Sequence, residues 1–127
     1  MRLGISSSTP SLESFRIALT LISVWDLVCE SLDISIAFLH SDLPPGVAAV
    51  VRLPTGLSMS ETMYKPAYLD LRKAMNGLQS AAKVWLLTCS IELKEIGLIS
   101  SPSEPTILCG QLKESKAFGV IVIYVDD

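Results

Sequence analysis

Apolar residues recur at helical spacing early in the chain, at Phe15, Leu19 and Ile22, with Trp25 or Asp26 completing the stripe. Thr9 offers an N-cap hydroxyl, Pro10 suits the first helical position and Glu13 falls in the first turn, so the pattern predicts a helix from there to about Leu27. Its other face is also apolar, as expected of a helix covered by other elements. Val28 to Ser35 alternates loosely and contains the β-branched Val28 and Ile34, which predicts a strand carrying Asp33 at its end. A helical turn over Ile36 to His40, a loop over Asp42 to Gly46 and a strand over Val47 to Leu53 follow.

Pro54 to Pro66 has loop composition, Tyr68 to Leu71 reads as a short strand, and Gly77 marks a break. A second helix is predicted over Ser80 to Ile96, with Val84, Leu87, Ile91 and Leu93 or Leu98 inward, Glu92, Lys94 and Glu95 in solvent, and Gly97 as its C-cap. Thr106 to Gln111 and Ala117 to Val125 should pair as a hairpin around the turn Leu112 to Lys116. The second hairpin strand is apolar on both faces, which predicts a central position. Together these elements give an α+β class: a mostly antiparallel sheet of about four strands, with two long helices on one face. Residues 1–8 read as a tail and 9–127 as one unit.

With 127 residues, half of them apolar, the chain can bury a continuous core, which excludes a disordered segment. The formal charge of −3 and a charged fraction of 18% give no basic field to attract nucleic acid, so phosphate-gripping cations would have to come from other sequence. The most apolar stretch, Phe15 to Cys29, is interrupted by Arg16 and Asp26 and is too short to span a bilayer. Met1 to Pro10 lacks the apolar run of a secretory signal. The expectation is therefore an intracellular, by default cytoplasmic, protein with no membrane contact. Cys29, Cys89 and Cys109 are widely spaced in apolar surroundings and read as reduced core residues, and one His excludes a His-based metal site.

The candidate chemistry is acidic. Asp126 and Asp127 follow an apolar strand, where adjacent like charges repel unless a cation neutralises them. Taken alone, the pair reads equally as the start of a turn. Asp33 stands at another predicted strand end, in Ser31-Leu32-Asp33-Ile34-Ser35-Ile36-Ala37-Phe38-Leu39-His40. That stretch resembles the first catalytic motif of copia-type reverse transcriptases, Leu-Asp-Val-Lys-Thr-Ala-Phe-Leu followed by Asn or His and then Gly. Tyr124-Val125-Asp126-Asp127 is identical to the family's Tyr-Val-Asp-Asp. Between them, Leu71 to Trp85 is similar to the family's Leu-Lys-Lys-Ser-Leu-Tyr-Gly-Leu-Lys-Gln-Ala-Pro-Arg-Gln-Trp. The segments around Ser14-Phe15-Arg16 and Ser101-Pro102-Ser103-Glu104-Pro105-Thr106 also fall where the family has similar ones.

The resemblance implies a partial reverse transcriptase palm and fingers that uses Mg2+ or Mn2+, with an RNA or DNA template, a primer and deoxynucleoside triphosphates as partners. It implies Asp33 and Asp126 as bridging metal ligands, Asp127 as a weaker one, and convergence of the Asp33 and Asp126 carboxylates on a shared cation. It implies Phe38 beneath the incoming sugar, Gly77 as a point of close backbone approach, and Ile34, Asn76 and Gln79 as further nucleotide contacts. The residues alone also allow Phe38 and Trp85 as core aromatics, Gly77 as a loop glycine, and Arg72-Lys73 as a solvated pair.

Departures from the family pattern remove charge or rigidity: Ser35 for Lys, Asn76 for Tyr, Gln79 for a basic residue, Ala82 for Pro, and Asp70 where a basic residue is common. The acidic and tyrosine character often seen around Gly46 to Val50 is gone. The basic fingers segment, the strand after the acidic motif, the primer grip, the thumb and an RNase H domain are expected to lie outside these residues. Two readings therefore stand: a piece of a polymerase, and a non-catalytic remnant of a transposable element. A phosphoacceptor signalling domain is disfavoured, because it would carry its acidic pair near the start, before parallel strands.

Overall fold

A computed structural model describes residues 9–54 and 68–125. In chain order these form α1 (Leu12–Val24), a 3-10 turn (Ala37–His40), β1 (Val50–Arg52), β2 (Tyr68–Asp70), α2 (Ala81–Glu95), β3 (Ile99–Ser100), β4 (Ile107–Gln111) and β5 (Phe118–Val122). The α+β class is as the pattern predicts. The strands make two antiparallel sheets in place of one, β1 with β2 and a three-stranded sheet ordered β3-β4-β5.

Helix α1 starts later than its sequence signals suggest. The Ser11 hydroxyl accepts the Ser14 N–H at 3.1 Å and the Ser11 carbonyl accepts the Phe15 N–H at 3.0 Å, so Ser11 caps the helix in place of Thr9. Its buried residue is Ala18, with Leu21 and Ile22 half-buried, while Phe15, Leu19 and Trp25 on the expected inner stripe are about half exposed. The Trp25 ring meets Phe118 of β5 edge-to-face, centroids 5.4 Å apart, which ties the C-terminal end of α1 to the sheet.

Helix α2 ends as predicted. The Gly97 N–H donates to the Lys94 carbonyl and the Leu98 N–H to the Leu93 carbonyl, the paired bonds of a Schellman motif with Gly97 at φ +109°. Ala81 and Val84 are buried and Leu93 packs beside them, whereas Leu87 and Ile91, expected inward, are exposed. Val84, Phe38, Ala74, Leu98, Leu108, Ile123 and Val125 form the core, set between α2, the 3-10 turn and one face of the three-stranded sheet. In that sheet β4 is central. The strand β5 is its edge, against expectation: its apolar outer side borders a groove of about 290 Å³ rather than a further strand.

Across that groove lie Leu27 to Glu30, the start of the strand expected over Val28 to Ser35. No strand forms there. The segment joins no ladder among the described residues, and Val28 and Leu32 are each 89% exposed. β-branched composition favours a pleated surface, but a strand needs a neighbour to bond.

Cys29, Cys89 and Cys109 are free thiols, as expected, but not core residues: Cys29 and Cys109 are exposed and Cys89 is half-buried. Burial, followed by the nearby Glu92 charge, raises the Cys89 pKa and keeps that thiol protonated.

Ser41, after the 3-10 turn, is fully buried, and its hydroxyl has no hydrogen-bond partner among the described residues. It occupies the position where the resembled motif has Gly. An orphaned hydroxyl carries a desolvation cost without return, so Ser41→Ala is expected to stabilise the chain by about 1 kcal/mol. A denaturant midpoint that falls in this variant would refute that account.

Candidate active site

The segment bearing Asp33 has no regular secondary structure and is exposed, and it ends in a conformational outlier. Ile36 lies in the left-handed region at φ +50°, which is costly for a β-branched residue, and it turns the chain into the 3-10 helix. The Leu39 N–H donates to the Ile36 carbonyl and the Ser41 N–H to the Phe38 carbonyl, closing that turn. Phe38 is driven into the core against α2, as its core reading expects, and the His40 ring lies 6.4 Å from that of Trp85.

Beyond the turn the chain bonds to the second motif. The Leu43 N–H donates to the Arg72 carbonyl at 2.8 Å and the Ala74 N–H to the Ser41 carbonyl at 2.9 Å, with Asp42 and Lys73 paired between them. Their side chains form an exposed ion pair at 4.0 Å, of small energetic weight. The structure therefore brings the Asp33–His40 and Leu71–Trp85 segments together. Ile34, Asn76, Gly77 and Gln79 are all exposed, and a Cβ on Gly77, at φ +85°, would meet open space.

The third segment arrives by β5. Past the end of β5 the alternation continues, with Ile123 buried, Tyr124 exposed and Val125 buried. Asp126 and Asp127 lie outside the described residues, and so does the expected convergence of Asp126 with Asp33. Among the described residues no group of three or more His, Cys, Asp or Glu could hold a metal ion, so Asp33 by itself does not make a site. Three carboxylates are a hard oxygen donor set of the kind that suits Mg2+ or Mn2+.

One polar network escaped the sequence reading. Glu104, in the β3–β4 connection, accepts the Thr106 hydroxyl at 2.8 Å and the Ser11 N–H at 3.2 Å. The Thr106 bond, then the Ser11 N–H, with smaller help from the Ser14 and Ser11 hydroxyls, hold its pKa below the ordinary 4.5. A carboxylate with a depressed folded pKa contributes stability that is complete above its unfolded value and lost as the pH falls through the lower folded value. Wild type is thus expected to lose stability faster than Glu104→Gln as the pH drops below about 4.5. Parallel stability–pH curves for the two proteins would show that the network has no such role.

Residues 3–127 match the family model described as reverse transcriptase (RNA-dependent DNA polymerase). The chain belongs to the reverse transcriptase family. It is also 28% identical over 123 residues to the retrovirus-related Pol polyprotein from transposon TNT 1-94 of Nicotiana tabacum, a match taking in 97% of this chain and 9% of that protein. No solved structure matches it. The family reading drawn from the motifs is borne out, and the chain is a partial reverse transcriptase domain spanning about a tenth of the relative's length. The family generally uses a divalent metal and binds a nucleic acid template with deoxynucleotides. Among the described residues no helix is long and apolar enough to cross a membrane.

Proposed function

We propose that this chain is the part of a copia-type RNA-directed DNA polymerase that bears the metal-binding carboxylates. The observation carrying this reading is the family match over residues 3–127, within which Asp33, the Leu71–Trp85 segment and Tyr124-Val125-Asp126-Asp127 stand in the family's order. Asp33 and Asp126 would bridge Mg2+ or Mn2+, with Asp127 as a weaker ligand. When bound there, such ions would supply activation of the primer hydroxyl and charge stabilisation at the leaving pyrophosphate.

Ile34, Asn76, Gly77 and Gln79 would contact the incoming nucleotide. The open space beside Gly77 supports close approach of a ligand to its backbone. Phe38, buried in the core against α2, keeps a packing role there and is not carried into the nucleotide site. The exposed apolar surface of α1 and of Val28 to Ile36 supports its being covered by further parts of the same domain. A second reading, a non-catalytic remnant, is favoured by Ser41, a buried hydroxyl without a partner among the described residues where the motif has Gly.

Mn2+ titration followed by paramagnetic line broadening tests the metal assignment. Weak binding is expected, with broadening at Asp33, Asp126 and Asp127, and it should vanish in Asp126→Asn. A chain that binds no Mn2+, or binds it equally well after that change, would sink the assignment.

A further inference from the structure

The Glu104 carboxylate reaches in two directions. It joins the N-terminus of α1, through the Ser11 N–H 93 positions away, to the hydroxyl of Thr106, which is 1% exposed. The Thr106 carbonyl in turn accepts the Ile123 N–H at 2.8 Å, one residue past the last of β5. The connection is stiffened by the Ile107 N–H, which donates to the Glu104 carbonyl at 3.0 Å, and by the Ser101 N–H, which donates to the Ile107 carbonyl at 2.9 Å. A single buried threonine thus links the carboxylate to Ile123, the first residue after β5.

We propose that Glu104 is a positioning residue for the segment that follows β5, holding Thr106 against the N-terminus of α1 so that Ile123, and with it Tyr124 and Val125, is held in place. Its consequence for metal binding rests on the function proposed above. The chemistry favours Glu at this position. The Thr106 hydroxyl and the Ser11 N–H both donate to it, and a carboxylate accepts at both oxygens, whereas an amide accepts at one and turns an N–H toward the other donor. Glu104→Gln therefore keeps the shape and loses one of the two bonds. Thr106→Val also keeps the shape and removes the hydroxyl.

Hydrogen exchange of the whole chain at sub-micromolar concentration provides the test. In Glu104→Gln and in Thr106→Val the Ile123 amide should exchange roughly tenfold faster or more, while the β4–β5 ladder amides change little, and the double variant should be no worse than the singles. Ile123 protection that is unchanged, or that falls only in step with the ladder, overturns the proposal, since a merely structural role would lower all amides together. Thr106→Val decides the matter if Glu104→Gln does not fold.

Mn2+ affinity provides a second readout. A several-fold loss in Glu104→Gln is expected, and an affinity equal to wild type counts against positioning. A wild-type chain that binds no Mn2+ would instead remove the metal reading and leave Ile123 to judge the strand-end role.

Discussion

Placed in an intact copia-type reverse transcriptase, the segment from Ser31 to Asp127 is expected to support DNA synthesis, and Asp33→Asn or Asp126→Asn there is expected to lower the rate roughly 10²–10⁴-fold. The magnitude follows from the several kcal/mol of charge stabilisation that a metal supplies to a transferring phosphoryl group. An amide replacing a bridging carboxylate leaves the cation undercompensated and misplaced, while the fold has little reason to change around the exposed Asp33. The isolated 127-residue chain is expected to extend no primer. Positioning of the reactants can contribute about 7–11 kcal/mol to barrier reduction, and a chain of net charge −3 offers a polyanion no general attraction. Primer extension by the chain alone, lost on Asp126→Asn, would refute the remnant reading. A graft indifferent to both Asn changes would refute the carboxylate assignment.

The elements legible in the sequence are those whose signals are local. Gly97 ends α2 because a left-handed residue closes two bonds within one turn, and the β4–β5 hairpin needs only two β-branched runs and a polar turn. Facing was less legible. Helix α2 carries apolar residues on more than one side, and the choice of Val84 over Leu87 and Ile91 is made by the 3-10 turn and the sheet, which periodicity does not see.

The same limit explains β5 and residues 28–35. Two apolar faces say that a strand will be covered, not that it will be flanked, and β-branched composition does not supply a partner strand. The acidic motifs were legible only through their resemblance to a family, since each alone is a short and ordinary string. The bond from Thr106 to Glu104 is local, but the link to α1 was not legible, because Ser11 lies 93 residues away. Ser41 does carry a signal of burial in the sequence, since the resembled motif has Gly at that position.

The largest stability losses in the described fold are expected at Gly97 and Gly110, where two stretches of backbone meet without side chains between them. A Cβ on Gly110 would collide with the Gly97 carbonyl, and one on Gly97 with the Gln111 carbonyl, so in both cases the obstacle is backbone that cannot swing aside. Overpacking of this kind costs about 1–3 kcal/mol. At Gly97 a left-handed penalty of about 1–2 kcal/mol adds to it. Gly46 also has a positive φ, +87°, but open space around it, so Gly46→Ala isolates the conformational part. The losses should therefore rank Gly97→Ala above both Gly110→Ala and Gly46→Ala in denaturant unfolding. The contact is also what seats Leu98, the residue after the α2 cap, in the core beside Leu108, so Gly97→Ala should expose apolar surface and raise dye binding before the unfolding midpoint. A Gly97→Ala chain no less stable than Gly46→Ala would mean that this backbone crossing is looser than its geometry implies.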